Sequence, residues 1–185
     1  MSSRDSSRVE VDRPAKIDMF LWLAWSIKEL SMDGQTQHGC VITNRKNRVL
    51  GMGYNSFPRD MDNESLPNMR PEKYPWMIHA EENAVTNCTH KPKKGIAYVT
   101  GYCCGRCLRH LWQNGVDTVY EMDRASSMVG DTDFKIKKEL MKQVPLKVHI
   151  IRPDFTFAKG LIGSAAMDGL IHGEFDKSVK CFGDV

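Results

Sequence analysis

The sequence predicts an α/β domain in three layers, with helices on both faces of a central sheet, and three observations carry that prediction. Short β-branched or apolar runs alternate along the chain with longer stretches of helical period. The runs "IAYVT" and "VDTVY" are parted by a helical segment that Gly115 closes. At 185 residues with 41% apolar content, the chain can bury one core, and domain-size statistics favour a single domain over two.

The elements follow in order. Residues 1–13, rich in Ser, Arg and Asp, have no hydrophobic period and read as a mobile lead-in. Pro14 stands where helices begin, and Ile17, Phe20, Leu21, Ala24, Ile27 and Leu30 keep helical spacing. The first helix is therefore expected over Ala15–Met32, closed by Gly34, with Phe20, Trp22 and Trp25 in the core. "CVITN" and "RVLGMGY" form a hairpin around a polar turn. From Asn55 to Pro75, prolines at 58, 67, 71 and 75 erase any period and predict a long ordered loop, a feature that in compact domains usually serves function. "HAEENAVTNC" then reads as a helix, "IAYVT" as a buried strand, "CGRCLRHLWQNG" as a helix and "VDTVY" as a strand. Phe134, Lys137, Leu140, Met141 and Val144 place a helix over Asp131–Val144, ended by Pro145, and "LKVHII" follows as a strand. The main folded domain is expected over residues 14–152. Residues 153–185, including "GLIGSAAMDGLIHG", form a C-terminal extension with no assigned role.

Charge and composition narrow the function classes. With 26 basic and 23 acidic side chains the formal charge is +3, which suits a small anionic ligand and gives no reason to expect a stable nucleic-acid partner. The longest apolar run, Met19–Trp25, is far short of the roughly 20 residues a membrane span needs. It also lacks a small-residue cleavage site, so a cytoplasmic protein without a membrane partner is expected. Six cysteines, three of them in "YCCGRC", point to metal or redox chemistry in a reducing compartment rather than to a disulfide framework.

The chemistry lies in "WMIHAEENAV", which sets His79, Glu81 and Glu82 together, and in "CCGRC", where Cys104 follows His79 by 25 residues. One imidazole and two thiolates, His79, Cys104 and Cys107, supply three ligands for tetrahedral Zn²⁺ and leave a fourth position open, as in catalytic zinc sites. Cys103 is a second candidate for the first thiol, because spacings of three and four can both share a helical face. Glu81 is placed for general acid/base work and not for ligation, whereas Glu82 is expected to face solvent or a neighbouring subunit. His-x-Glu followed by Cys-x-x-Cys is the zinc deaminase signature, which carries proline where Cys103 stands here. Tyr102 is expected to line the pocket. Arg59, Arg70 and Lys73 on the long loop are candidate phosphate ligands. Cys40, Cys88 and His90 are read as ordinarily packed, not as a second metal site.

"GYNSFPRD", "RPEKYPWMIHAEENAV", "GIAYVTGYCCGRC" and "NGVDTVY", in that order, resemble the deoxycytidylate (dCMP) deaminase family across roughly residues 15–152. The resemblance implies a three-layer α/β/α cytidine deaminase-like fold with a central mixed sheet. It also implies hydrolysis of dCMP to dUMP with release of ammonia, Asn55 on the nucleotide sugar, Glu81 as proton shuttle, and zinc on His79, Cys104 and Cys107. A homohexamer regulated by dCTP and dTTP is implied as well. Two positions depart from the family pattern: Cys103 replaces proline, and Ser56 replaces the glycine of "GYNG". The rival readings are the same zinc chemistry on another base or nucleotide (dCTP, CMP, guanine, tRNA adenosine), or a catalytically silent zinc-stabilised scaffold. Glu81 argues against the scaffold, since a structural site needs no adjacent base.

Overall fold

The computed structural model describes residues 13–123 and 130–158. The lead-in up to residue 12 and the segment "GLIGSAAMDGLIHG" lie outside the described residues. Among those described, β1 (Gly39–Thr43), β2 (Val49–Tyr54), β3 (Gly95–Val99), β4 (Val116–Met122) and β5 (Lys147–Ile151) form one sheet in the order β2-β1-β3-β4-β5. β1 pairs antiparallel with β2 and β3, whereas β3, β4 and β5 run parallel, so the sheet is mixed. The expected hairpin is β1-β2, with Asn44 Oδ1 accepting from the amides of Lys46 and Arg48 in its turn. Parallel neighbours need crossovers, which α3 (Gly105–Gln113) and α4 (Asp131–Gln143) supply.

Two apolar clusters flank the sheet. Leu21, Ala24 and Trp25 of α1 (Lys16–Lys28) bury with Val41, Ile96 and Tyr98, and Phe20 and Trp22 pack against that cluster. On the opposite face Ala80 and Ala84 of α2 (Ala80–Thr86), with Cys107, Leu108 and Leu111 of α3, bury with Cys40, Ile42, Ala97 and Val99. Successive residues of β1 and β3 thus serve opposite faces, as the strand period of two requires. The result is the predicted α/β/α arrangement. Burying a leucine such as Leu21, Leu108 or Leu111 contributes about 1.5–3 kcal/mol each.

Two glycines set the geometry around the site. A Cβ on Gly53 would lie 2.3 Å from the amide nitrogen of Ala84, so only glycine lets α2 rest directly on β2. Gly115, at φ 92°, ends α3 in the left-handed region, as the sequence predicts.

Two helices differ from expectation. α1 ends at Lys28 and not at Met32, leaving Leu30 and Met32 58% and 62% exposed. Polar anchors draw the following segment inward: Ser31 Oγ donates to Asn55 O at 2.8 Å, and Asp33 Oδ1 accepts from the amides of Gln35 and Thr36. Such bonds compete with helix continuation, and apolar spacing does not register them. Gly34 has open space around it beyond the helix end. In α4, Lys137 is buried while Phe134 and Met141, expected on the apolar stripe, are 42% and 38% exposed. The helix is rotated to bring the Lys137 ammonium to Glu121, 2.5 Å away.

Candidate active site

The long loop after β2 returns to its own start. Ser56 and Ile78 exchange two backbone hydrogen bonds, of 3.1 and 2.8 Å, which deliver His79 to the N-cap of α2. Cys104 takes the same position on α3, where its Sγ accepts from the Cys107 amide at 3.4 Å. Two helix starts therefore face each other. His79 Nδ1 lies 3.2 Å from Cys107 Sγ and 3.6 Å from Cys104 Sγ, and the candidate ligand atoms of all three residues fall within 4.8 Å of one another. A tetrahedral zinc with Zn–S near 2.3 Å and Zn–N near 2.0 Å sets such atoms roughly 3.5–3.8 Å apart, so the donors fit in type and spacing.

Of the three donors only Cys104 is set toward its deprotonated, ligating form, while His79 and Cys107 hold protons that metal binding would release. Cys104 is lowered to about 4, chiefly by its hydrogen bond with the Cys107 thiol, against burial, with His79 and the Cys107 amide adding. His79 is raised to about 9, chiefly by its hydrogen bond with Cys104, and Cys107 is raised by its hydrogen bond with Cys104 and by burial. The helix N-terminus adds to the preference for a thiolate at Cys104.

Glu81, on the first turn of α2, is only 4% exposed. Burial pushes its pKa above the ordinary carboxylate value, while His79 and a hydrogen bond from Cys103 pull the other way. Cys103 itself is fully buried, and its thiol is driven well above its usual range by burial and by the Glu81 charge. In this geometry Cys103 faces the carboxylate, and Cys104 is the thiol grouped with His79 and Cys107.

Glu82 differs from its solvent-facing expectation. Its carboxylate accepts from the His79 amide at 3.2 Å and from Arg106 Nε and Nη at 3.0 and 3.2 Å, tying the start of α2 to α3. The sequence signal was a glutamate three residues after the N-cap, the second half of a capping box. Arg106, between the two cysteines, carries no sequence signal for this pairing, because its partner lies 24 residues away.

The remaining predicted residues fall into three settings. Asn55 is buried and holds the 33–38 segment: Oδ1 accepts from the His38 amide at 2.7 Å, and Nδ2 donates to Thr36 O at 2.9 Å and Asp33 Oδ2 at 3.2 Å. Lys73 is buried and ion-paired with Asp33, while Arg70 donates to Thr36 Oγ1 from the adjacent loop. Burial works to raise Asp33, but hydrogen bonds from Lys73, Thr36 and Gln35 outweigh it and hold the carboxyl below its ordinary value. Arg59 lines a cleft of about 540 Å³ with Tyr54, Ser56, Asn83 and Asn87, to which His79, Glu81, Cys104 and Cys107 do not contribute. Tyr102 turns toward α4: its ring lies 4.0 Å from Lys137 Nζ, and burial and Asp133 raise its hydroxyl pKa. Cys40 is fully buried, Cys88 packs partly buried against the core, and His90 is exposed, with no further His/Cys/Asp/Glu metal group among the described residues.

An imidazole and two thiols at facing helix starts, with a buried carboxylate on the first turn of α2 in an α/β/α scaffold, define a metal-site architecture of the hydrolytic type. Comparison with known proteins makes this specific. Residues 15–122 match the family described as the cytidine and deoxycytidylate deaminase zinc-binding region, and the chain belongs to that family. It is 32% identical over 112 residues to deoxycytidylate deaminase of Homo sapiens, covering 57% of this chain and 63% of that protein. It is 30% identical over 137 residues to a probable deoxycytidylate deaminase of Caenorhabditis elegans, covering 71% and 67%. The match spans a little under two thirds of the length of the human relative. Among solved structures, dCMP deaminase of cyanophage S-TIM5 in complex with dCMP and dUMP superposes with a TM-score of 0.58 at 17% identity, over 72% of this chain and 95% of that one. Acinetobacter baumannii RibD superposes at 0.51 over 85% of this chain and 40% of that one, so these structures support the fold. The family, the α/β/α fold and zinc as the metal agree with the reading from sequence. No helix among the described residues is long and apolar enough to cross a membrane.

Proposed function

We propose that the chain catalyses hydrolytic deamination of a cytosine deoxynucleotide, dCMP to dUMP with release of ammonia. The observation that carries this reading is the buried Glu81 two residues from His79, in a cluster whose three donors suit zinc. The name deoxycytidylate deaminase borne by relatives supports dCMP as the nucleotide of this reading.

In this reading His79, Cys104 and Cys107 hold zinc. The metal, when bound, activates water by lowering its pKa from about 15.7 to about 7. Glu81 takes a proton from the attacking water and delivers it to N3 of the cytosine ring as the water oxygen bonds to C4. Glu81 then carries the second proton to the amino group, the C4–N bond breaks, and ammonia leaves with uracil remaining. Asn55 bears on the nucleotide sugar, and also on the shape of the 33–38 segment it anchors. With the Lys73 ammonium engaged by Asp33, Arg59 and Arg70 are the more accessible cations for the phosphate.

Regulation by dCTP and dTTP, assembly as a homo-oligomer (a hexamer by resemblance) and a cytoplasmic location belong to the same proposal. Ammonia release from dCMP, CMP, dCTP, cytidine and adenosine substrates, with and without dCTP and dTTP and alongside light scattering for mass, tests it. Preference for dCMP supports the reading, and an inactive zinc-loaded protein removes it.

A further inference from the structure

The turn that carries Cys104 is held by charges outside the chemistry just described. Cys103 is fully buried, so its backbone N–H needs an acceptor. Glu121, near the end of β4, supplies it: Cys103 N donates to Glu121 Oε1 at 3.1 Å. The same oxygen receives Lys137 Nζ of α4 at 2.5 Å, and that ammonium also reaches Cys103 O at 3.5 Å while lying over the Tyr102 ring. One residue past Cys104, the Gly105 amide donates to Asp133 Oδ1 at 2.8 Å. Both backbone polar groups of Cys103 thus end on one buried ion pair, whose side chains are 3% and 11% exposed.

Such a pair is expensive. Taking both charges from water costs several kcal/mol each, often more than their attraction returns, so apolar residues of similar size would serve the core as well or better. The pair also has no part in the proton transfers assigned to Glu81. What it does provide is an acceptor and a restraint at residue 103, where the zinc deaminase signature carries proline. Proline needs neither: it has no N–H, and its ring fixes φ.

We infer that Glu121 and Lys137 are positioning residues that hold the metal-binding turn through the Cys103 backbone, standing in for the proline this chain lacks at that position. The inference rests on the reading that Cys104 and Cys107 hold zinc. It links the two positions in one direction: a residue with an N–H at 103 needs the acceptor at 121, whereas proline at 103 does not.

The test is zinc release to a chromogenic chelator from four purified proteins: the parent, Cys103→Pro, Glu121→Leu/Lys137→Met, and the triple variant that combines them. Release is the readout because removing the Cys103 thiol beside Glu81 can alter turnover by itself. Cys103→Pro is expected to keep one zinc per chain. With Cys103 present, replacing the pair strands a buried donor and should speed release about tenfold, whereas in the Cys103→Pro background the same replacement should change it less than about twofold. A pair variant that folds only in combination with Cys103→Pro supports the inference equally. Equal acceleration in both backgrounds, no acceleration with Cys103, failure of both pair variants to fold, or loss of zinc in Cys103→Pro overturns it. A parent without stoichiometric zinc would instead remove the metal-site reading beneath it.

Discussion

Replacing Glu81 by glutamine isolates the proton shuttle from the metal site. The change is nearly isosteric at a position only 4% exposed, and it leaves His79, Cys104 and Cys107 in place. Zinc should therefore remain at one per chain. The amide cannot take a proton from water or pass one to N3, so kcat should fall by the general acid/base contribution of roughly 10²–10⁴-fold, about 2.7–5.4 kcal/mol of barrier. Stability should move the other way. Burial raises Glu81, so its charged form is disfavoured on folding, and the parent apoprotein loses stability as pH climbs from the unfolded carboxyl pKa of 4.5 through the higher folded one. Glu81→Gln has no such loss, and its apoprotein should unfold at the same or a higher temperature than the parent at pH 7. Ammonia release, zinc content and thermal unfolding measured on one preparation decide the matter. Activity within a factor of about two of the parent, against the expected losses, would refute the shuttle role.

Cys103→Ser should keep stoichiometric zinc, because the thiols grouped with His79 are Cys104 and Cys107, and most activity, because the serine hydroxyl can still donate to Glu81, whereas Cys104→Ser should lose both; metal analysis showing the reverse would move the ligand to Cys103. Asn55→Ala removes the bonds that anchor His38 and Thr36, so kcat/KM for dCMP should fall by the equivalent of about 1–3 kcal/mol while zinc stays bound; unchanged kcat/KM would take Asn55 out of the site. Asp33 titrates below its ordinary value of 3.8, so its contribution is complete above that pH and drains away as pH falls through the lower folded pKa. Acid unfolding of Asp33→Asn apoprotein should accordingly lack part of the parent's stability loss below pH 3.8, and identical slopes would contradict the Lys73–Asp33 account.

The metal cluster was legible because its signal is local: His79 with Glu81, and Cys104 with Cys107, each sit within one helical turn, and both pairs open helices. The sheet was legible because β1 and β3 are buried along their whole length and rich in apolar residues. What escaped the sequence is tertiary polar pairing. Lys137 fell on the predicted apolar stripe of α4, but no pattern could reveal that its partner is Glu121, one residue beyond the predicted end of β4. Lys73 looked like a loop cation because the Asp33 that neutralises it lies 40 residues earlier. The end of α1 is illegible for the same reason, since Ser31 and Asp33 find partners around Asn55 that apolar periodicity does not encode.

The central claim is that His79, Cys104, Cys107 and Glu81 together deaminate a cytosine deoxynucleotide. Its most direct test is ammonia release from dCMP by the purified protein with its zinc content measured, repeated after chelation and after zinc is restored. One zinc per chain is expected, with conversion of dCMP to dUMP that vanishes on chelation and returns with zinc, and slower turnover of CMP and cytidine. A protein fully loaded with zinc that leaves dCMP and every other cytosine nucleotide intact would contradict it.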